Sequence, residues 1–301
     1  MSDPAAPAAP ASPPLAAQIR ALPGLVRFSH TLFALPFALA GALLAARLHG
    51  APPWMTWVLV CVAMVCARTA AMAWNRLVDR RFDAANPRTA GRHLPRGLVS
   101  PPVAAAVTLA AAAGLVASAF ALNPLCGWLS PVALAITLGY SWTKRVTAAS
   151  HLVLGLGLAC APVGAWLAVT GAFAVPPLVL GLAVLLWVAG FDVIYATQDV
   201  DFDRGAGLHS MPARLGVPVA LRLSAVLHAG TVAALAATGI AAGLGWPFFA
   251  GVAVAAALLA WEHALVRPDD LARVNTAFFT ANACVSALVL AAVGADWALA
   301  G

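Results

Sequence analysis

Long apolar stretches recur along the chain and are separated by short polar or proline-containing segments. A helix needs about 20 apolar residues to cross the hydrocarbon core of a bilayer, so each stretch predicts one membrane span. A count of eight spans results if 102–142 is one interrupted unit, but Asn123 and Pro124 favour two spans joined tightly. We therefore predict nine spans, at residues 29–47, 54–75, 102–122, 125–142, 151–170, 176–196, 218–241, 245–264 and 276–296.

The composition supports this fold class, an all-α polytopic membrane protein. Hydrophobic residues make up 62% of the 301 residues and charged residues only 9%, whereas soluble domains carry about 25% charged residues. The net charge of +6 therefore relates to membrane orientation, and we expect no nucleic-acid partner. Residues 1–19 are rich in Ala and Pro and lack a basic start followed by an apolar run, which predicts a disordered tail and no cleaved signal peptide. Residues 20–301 are expected to form a single transmembrane domain.

Basic residues concentrate in alternate connections between the spans. Lys and Arg precede span 1 and lie between spans 2 and 3, 4 and 5, 6 and 7, and 8 and 9, whereas the opposite side has essentially Arg47 alone. By the positive-inside rule, the N-terminus lies in the cytoplasm and the C-terminus outside, in the cell (inner) membrane.

Two polar segments, 68–95 and 195–216, hold a large share of the 11 acidic residues of the chain. Both segments fall on the predicted cytoplasmic side. In the first segment, Asn75, Asp79 and Asp83 recur every four residues, which places their side chains on one helix face. The second segment repeats this step with Asp199 and Asp203, while Asp201 points away and is expected to be solvated or to act only indirectly.

Carboxylates stacked in this way repel each other unless a cation lies between them. Mg²⁺ prefers oxygen ligands and bridges carboxylates to substrate phosphates. We therefore predict that two helix ends hold a divalent metal ion against a diphosphate. The alternative is that these are solvated loop acids paired with Arg80, Arg81 and Arg204.

Further charged residues lie inside the spans. Arg68 is seven residues before Asn75, and Asp192 is seven before Asp199. An arginine within an apolar span is costly and usually serves a site, so Arg68 is expected to bind diphosphate or the polar group of a second substrate. The alternative for Arg68 is a structural arginine that either reaches the membrane surface or bonds to the backbone. We expect Asp192 to contact a second substrate or to act as a general base.

Polar residues at the ends of other spans extend the candidate site. Tyr140 and Lys144, with Arg145, end span 4 and are expected to bind diphosphate, although an ordinary interfacial anchor has the same pattern. Arg88 and Arg92 are expected to donate hydrogen bonds to phosphate, or else only to mark a cytoplasmic loop. His30, near the start of span 1, fits a packed residue as well as a ligand.

These residues resemble the motifs of the UbiA-type intramembrane aromatic prenyltransferases. The segment from Asn75 to Asp83 is similar to the family pattern N-D-x-x-D-x-x-x-D, with Arg76 in place of the aspartate that often follows the asparagine. An RT-x-x-R element follows from Arg88 to Arg92. The patterns Y-x-x-x-K-R and Y-x-x-x-D-x-x-x-D are matched, in that order, by the sets Tyr140, Lys144, Arg145 and Tyr195, Asp199, Asp203.

The resemblance implies nine transmembrane helices around a central cavity, with Mg²⁺ as cofactor and a polyprenyl diphosphate as donor. It implies transfer of the prenyl chain to a hydroxylated aromatic acid similar to 4-hydroxybenzoate, in ubiquinone or menaquinone biosynthesis. A naphthoate and a futalosine-derived acid remain alternative acceptors. The expected metal ligands are Asn75, Asp79, Asp83, Asp199 and Asp203, and Tyr195 joins the expected substrate-binding residues. Arg68 and Asp192 are expected to orient the acceptor.

The main alternative from another class of protein is a membrane transporter. A transporter places its ionisable groups in the middle of its spans along a permeation path, whereas these acids cluster at span ends beside arginines. A membrane phosphatidyl-alcohol transferase also uses paired aspartates with a metal, but its D-G-x-x-A-R spacing is missing from this chain. A prenyl-chain elongase is normally soluble and does not suit nine spans.

Overall fold

The computed structural model describes residues 13–26 and 31–300, and most of these residues are helical. In chain order, the helices are α1 Leu15–Leu25, α2 Thr31–His49, α3 Trp54–Ala85, α4 Pro101–Leu122, α5 Pro124–Thr143, α6 Ser150–Thr170, α7 Val175–Ala196, α8 Val200–Gly205, α9 Met211–Leu215, α10 Val217–Ala241, α11 Trp246–Leu265, α12 Val274–Thr276 and α13 Asn282–Ala300. A 3₁₀ turn, Thr197–Asp199, lies between α7 and α8, and a π-helical turn, Ala277–Ala281, precedes α13. Within the described residues, the extended structure is confined to an isolated bridge between Arg267 and Asp270.

Eight helical segments of the described chain are long and apolar enough to cross a membrane, and α2 adds a shorter apolar segment, Ala34–His49. The prediction of an all-α polytopic membrane protein is therefore confirmed. The count of nine spans and the cytoplasmic side of the loops stay predictions. The eight segments are Trp54–Ala85, Pro101–Leu122, Pro124–Thr143, Ser150–Thr170, Val175–Gly205, Val217–Ala241, Trp246–Leu265 and Val274–Leu299.

The region 102–142 is two helices, because Asn123 ends α4 and begins α5. Its backbone is extended, and its side chain accepts a hydrogen bond from the Cys126 N–H, which caps the first turn of α5. The same side chain donates to the Leu167 carbonyl oxygen at 2.8 Å and so joins this connection to α6. A proline at the first position of α5 needs no backbone donor there, which favours a new helix start.

The first described helix overlaps the disordered tail that the sequence predicts for residues 1–19. Helix α1 begins at Leu15, so residues 15–19 are helical rather than part of a disordered tail. Gln18 accounts for this boundary, because it donates to the Pro13 carbonyl oxygen and accepts from the Ser100 N–H, which ties α1 to the start of α4. Residues 1–12 and His30 lie outside the described residues.

The longer helices form a closed arrangement. From α2 to α7, and on through α10, α11 and α13, each helix packs against the next, and α13 returns to α2. Helix α2 also packs closely against α6 because Gly41 has no side chain; a Cβ there would collide with the backbone of Pro162. Gly155 of α6 allows the same close approach to Leu185 of α7. These contacts hold α7 in the interior, where Trp187 is fully buried between Phe37 and Phe191.

Candidate active site

A polar cavity of about 210 Å³ lies at the end of the bundle where α3 and α7 terminate. Its walls come from α3 and the loop after it, the end of α5, the start of α6, and α7 with its extension into α8. Nearly all predicted site residues line this cavity: Asn75, Asp79, Asp83, Arg88, Arg92, Tyr140, Lys144, Asp192, Tyr195, Asp199 and Asp203. Residues more than 100 positions apart in the sequence thus share one small space.

The first acidic segment lies on a continuous helix. Helix α3 extends to Ala85, beyond its apolar part, and keeps Asn75, Asp79 and Asp83 on one face. The Asn75 side-chain amide donates to Asp79 Oδ2 at 2.8 Å. The helix ends at Asn86, whose extended backbone turns the chain into the loop that carries Arg88.

The second acidic segment departs from the predicted regular helix. Helix α7 ends at Ala196, and Asp199 lies in the 3₁₀ turn that follows it. Asp203 lies on the separate short helix α8 and is 1% exposed, whereas Asp201 is exposed, as its predicted outward direction requires. The break lets Asp199 and Asp203 meet partners from two different parts of the chain.

Each of four aspartates in the cavity forms an ion pair with one basic side chain. Two bases come from the loop after α3: Arg88 pairs with Asp199, and Arg92 Nη1 lies 2.5 Å from Asp83 Oδ1. The other two come from the end of α5, where Lys144 Nζ is 2.8 Å from Asp203 Oδ1 and Arg145 Nη2 is 3.0 Å from Asp79 Oδ1. The predicted alternative partners do not take these roles: Arg80 and Arg204 donate to the carbonyl oxygens of residues 77 and 213.

Arg88 links the two acidic segments. Its Nε donates to Asp199 Oδ1 at 2.8 Å, its Nη1 donates to the Tyr195 hydroxyl at 2.9 Å, and its guanidinium lies 5.1 Å from the centre of the Tyr195 ring. Burial lowers the pKa of Arg88, but the hydrogen bonds and charges of Asp199 and Tyr195 outweigh this effect and raise the pKa above its ordinary value. The guanidinium therefore stays charged inside the cavity.

Arg68 lies deeper in the bundle than the aspartates, and its predicted contact with the acceptor stays a prediction. It lines a separate apolar cavity of about 320 Å³ between α3, α4, α5 and α6 rather than the polar cavity. Its Nε is buried and has no hydrogen-bond partner. The two cavities follow each other along the same helices, since Arg68 and Ala71 line the apolar one and Asn75 the polar one. Arg68 thus lies in the part of the apolar cavity nearest the charged residues.

The sequence analysis missed three side chains that contact aspartates of the polar cavity. Asn86 donates to Asp199 Oδ1 at 2.9 Å, and Ser210 donates to Asp203 Oδ2 at 2.6 Å. His151 contacts Asp192, with Nδ1 2.6 Å from Oδ2. His151 begins the fifth predicted span, and the available signal was a polar residue at the end of an apolar span beside a basic loop.

The oxygen chemistry of the cavity suits a hard cation such as Mg²⁺. Asp83 Oδ2 is buried and has no hydrogen-bond partner, so this carboxylate has an oxygen available for a ligand. In the part of the chain that the structure describes, no three His, Cys, Asp or Glu side chains lie close enough together to hold a metal ion. Metal ligation by both segments therefore requires some of the ion pairs to exchange partners.

The fold is therefore a helical membrane bundle in which a charged cavity adjoins an apolar one. The chain belongs to the UbiA prenyltransferase family, whose sequence profile matches residues 34–283. The protein is therefore a multi-pass membrane enzyme that transfers prenyl groups.

Individual relatives agree with this assignment. The chain is 34% identical over 252 residues to a 4-hydroxybenzoate octaprenyltransferase of Aromatoleum aromaticum, covering 82% of this chain and 84% of that protein. It is 33% identical over 250 residues to the enzyme of the same name from Cupriavidus necator, with 79% and 84% covered. The chain therefore matches most of the length of both relatives.

Solved structures share the fold. An apo UbiA homologue from Aeropyrum pernix K1 has a TM-score of 0.80 and 38% sequence identity, over 89% of this chain and 98% of that chain. A UbiA homologue from Archaeoglobus fulgidus bound to DMAPP and Mg²⁺ has a TM-score of 0.70 over 92% of this chain and 99% of that chain. The second is only 21% identical, so it supports the fold alone.

Proposed function

We propose that this enzyme transfers a prenyl chain from a polyprenyl diphosphate to a hydroxylated aromatic acid similar to 4-hydroxybenzoate, with Mg²⁺, in ubiquinone or menaquinone biosynthesis. The observation that carries the proposal is the meeting of two acidic segments and four basic side chains in one cavity beside an apolar cavity. The names of the relatives support the acceptor, membership of the prenyltransferase family supports the donor, and the carboxylate oxygens of the cavity suit Mg²⁺. Membership of a prenyltransferase family sets the transporter alternative aside.

The proposed metal ligands follow from charge and donor type. The four aspartates already balance four basic side chains, so a diphosphate adds negative charge that divalent cations would neutralise. When bound, Mg²⁺ stabilises the negative charge that develops on the departing diphosphate. The residues that would hold the metal are Asn75, Asp79, Asp83, Asp199 and Asp203.

The basic side chains would hold the diphosphate. Arg88 already presents two nitrogen donors to a planar anion, the Asp199 carboxylate, and the same geometry suits phosphate oxygens. Arg92 and Lys144 lie at the same cavity, with side chains 18% and 33% exposed, so each can reach a ligand there. The Tyr140 and Tyr195 side chains complete the proposed phosphate-facing wall.

The apolar cavity would hold the prenyl chain. Its lining is mostly apolar, and it would keep water away from the allylic cation that forms when diphosphate departs. Arg68, the charged residue in that lining, would bind the carboxylate of the acceptor, and Asp192 would orient its other end. The distribution of Lys and Arg supports a cytoplasmic N-terminus in the inner membrane, which would open the polar cavity to the cytoplasm.

A panel of acceptors tests this proposal. Membranes containing the full chain are incubated with geranyl diphosphate, Mg²⁺ and, in separate reactions, 4-hydroxybenzoate, a hydroxynaphthoate or a futalosine-derived acid. Mass spectrometry should detect a prenylated 4-hydroxybenzoate that disappears when Mg²⁺ is chelated. A product formed only with another acid would identify that acid, rather than 4-hydroxybenzoate, as the acceptor. The absence of any acceptor-dependent product would overturn the proposal.

A further inference from the structure

His151 occupies the second position of α6, lines the polar cavity and is 2% exposed. Its two ring nitrogens have different partners. The backbone N–H of Met211 donates to Nε2 at 3.2 Å, and Nδ1 lies 2.6 Å from Asp192 Oδ2. The ring is thus held between α7 and the start of α9.

These contacts determine the protonation of the ring. A nitrogen that accepts a hydrogen bond has a free lone pair, so Nε2 carries no proton. The proton of the neutral imidazole is therefore on Nδ1, and Nδ1–H donates to the Asp192 carboxylate. Asp192 differs in this respect from the other aspartates of the cavity, which pair with Arg or Lys.

Asp192 lies deeper in the bundle than the aspartates proposed to face the diphosphate, so its position suits contact with the acceptor. It lies on α7, seven residues before Asp199 of the following 3₁₀ turn, and seven residues span roughly 10 Å along a helix. Its side chain is 26% exposed and lines the cavity. Because His151 holds Oδ2, the orientation of the carboxylate is fixed and Oδ1 is left for a ligand.

We propose that His151 is a positioning residue that aims Asp192 at the ring hydroxyl of the acceptor, so that Asp192 receives the phenolic proton during prenyl transfer. This inference rests on the proposed function. A neutral donor suits the role because it orients the carboxylate without cancelling its charge, as an arginine would. The acceptor class that follows is an aromatic acid with a free hydroxyl group next to the carbon that is prenylated.

The proton and electron balance of the step is complete. The C–O bond of the allylic diphosphate breaks with its electron pair on the diphosphate, and the ring carbon next to the hydroxyl forms the new C–C bond. The hydroxyl proton passes to Asp192, which gives a cyclohexadienone. The ring proton then leaves to the released diphosphate, and Asp192 returns its proton to the oxygen, which restores the phenol.

Three variants of the full chain in membranes test the role of His151. His151→Leu removes the donor, whereas His151→Asn places an amide nitrogen near the position of Nδ1. Since proton transfer by a positioned group contributes about 10²–10⁴-fold, we expect His151→Leu to lower kcat of prenyl transfer about 100-fold, with an unchanged KM for geranyl diphosphate. His151→Asn should recover most of this loss. His49→Asn, at an exposed histidine of α2, should behave as the wild type.

A double-mutant cycle with Asp192→Asn separates this role from a general loss of structure. If His151 acts through Asp192, adding His151→Leu to Asp192→Asn should cause no further loss of kcat. Wild-type rates in His151→Leu, no recovery in His151→Asn, or additive losses in the double variant would each overturn the inference while leaving the proposed function intact. Failure of the wild type to prenylate any hydroxylated acid would instead remove the proposed function.

Discussion

The four aspartates at the polar cavity are neutralised by bases that come from two places, the loop after α3 and the end of α5. This division has a physical consequence. Each acidic segment pairs with one base from each source. The loop after α3 supplies the partners of Asp83 and Asp199, and the end of α5 supplies the partners of Asp79 and Asp203. A charged ligand that binds one of these groups must therefore compete with an existing ion pair.

Asp199 and Asp201 offer a matched test at the residue scale, because only Asp199 lines the cavity and Asp201 is exposed two residues away. Asp199→Asn removes the charge that pairs with Arg88, and we expect prenyl transfer to fall by about 10²–10³, the usual effect of removing one preorganised electrostatic group. Asp201→Asn should leave the rate unchanged. Transfer of a radiolabelled prenyl chain in membranes measures both, and full activity in Asp199→Asn would contradict the proposed metal site.

The sequence indicates which residues matter at this scale but not how they pair. Aspartates stand out in a chain with so few acids, so the candidates could be named without a structure. Their partners could not, because Arg80 is the immediate neighbour of Asp79, yet the pair forms with Arg145, 66 residues away. Which charges meet depends on helix packing, since side chains next to each other in a helix point in different directions.

Helix α7 is the element on which the site depends, and a buried polar network fixes its deeper part. The Trp187 Nε1–H donates to Asn282 Oδ1 at 2.6 Å, and the Asn282 amide donates to Glu262 Oε1 at 2.9 Å. These contacts join α7 to α11 and α13 in the interior. Nearby, Ser224 of α10 donates to the Gly190 carbonyl oxygen, which adds a further attachment of α7.

Replacement of Asn282 tests this network. Asn282→Ala leaves the Trp187 N–H and Glu262 Oε1 buried without this partner, and an unsatisfied buried group costs about 1–3 kcal/mol. We therefore expect a lower thermal unfolding midpoint in detergent, followed by the change in intrinsic tryptophan fluorescence. The control is Cys284→Ala, an exposed position on the same helix, which should unfold as the wild type does. Equal midpoints in both variants would show that the network adds no stability.

At the scale of elements, the apolar pattern predicts helices well and their polar ends poorly. The predicted spans agree closely with the long helices, because burial in lipid requires continuous apolar runs. The change from α7 to a 3₁₀ turn at Asp199 was not predictable, since the i, i+4 spacing of Asp199 and Asp203 fits an unbroken helix. In the structure, Asp199 and Asp203 instead form ion pairs with Arg88 and Lys144, which come from distant parts of the chain.

The whole molecule stacks its two cavities along shared helices. Helix α6 contributes Leu154 to the polar cavity and Gly164 to the apolar cavity, and these positions are roughly 15 Å apart along the helix. The arrangement places a charged head group and an apolar chain of one substrate in different environments. The depth of the apolar cavity limits the length of prenyl chain that the bundle can enclose.

A substitution in the deep part of the apolar cavity tests that limit. A Cβ at Gly164 meets open space, so Gly164→Phe can fill the cavity without a collision with the backbone. We expect prenyl transfer from long-chain diphosphates to fall at least about 10-fold relative to geranyl diphosphate, because even one methylene group in a hydrophobic pocket discriminates about 10–200-fold. Ile240→Phe, at a 75% exposed position, should keep the wild-type preference. An unchanged preference in Gly164→Phe would place the prenyl chain elsewhere.

By itself, the sequence determined that this is a helical membrane protein with scarce, clustered acids and bases, because lipid demands apolar runs and penalises isolated charge. Only the tertiary structure decided that Arg68 lies at an apolar cavity, that His151 holds Asp192, and that each aspartate meets its particular base. These features depend on how α3, α5, α6 and α7 pack together, and contacts between distant helices leave no periodic signal along the chain.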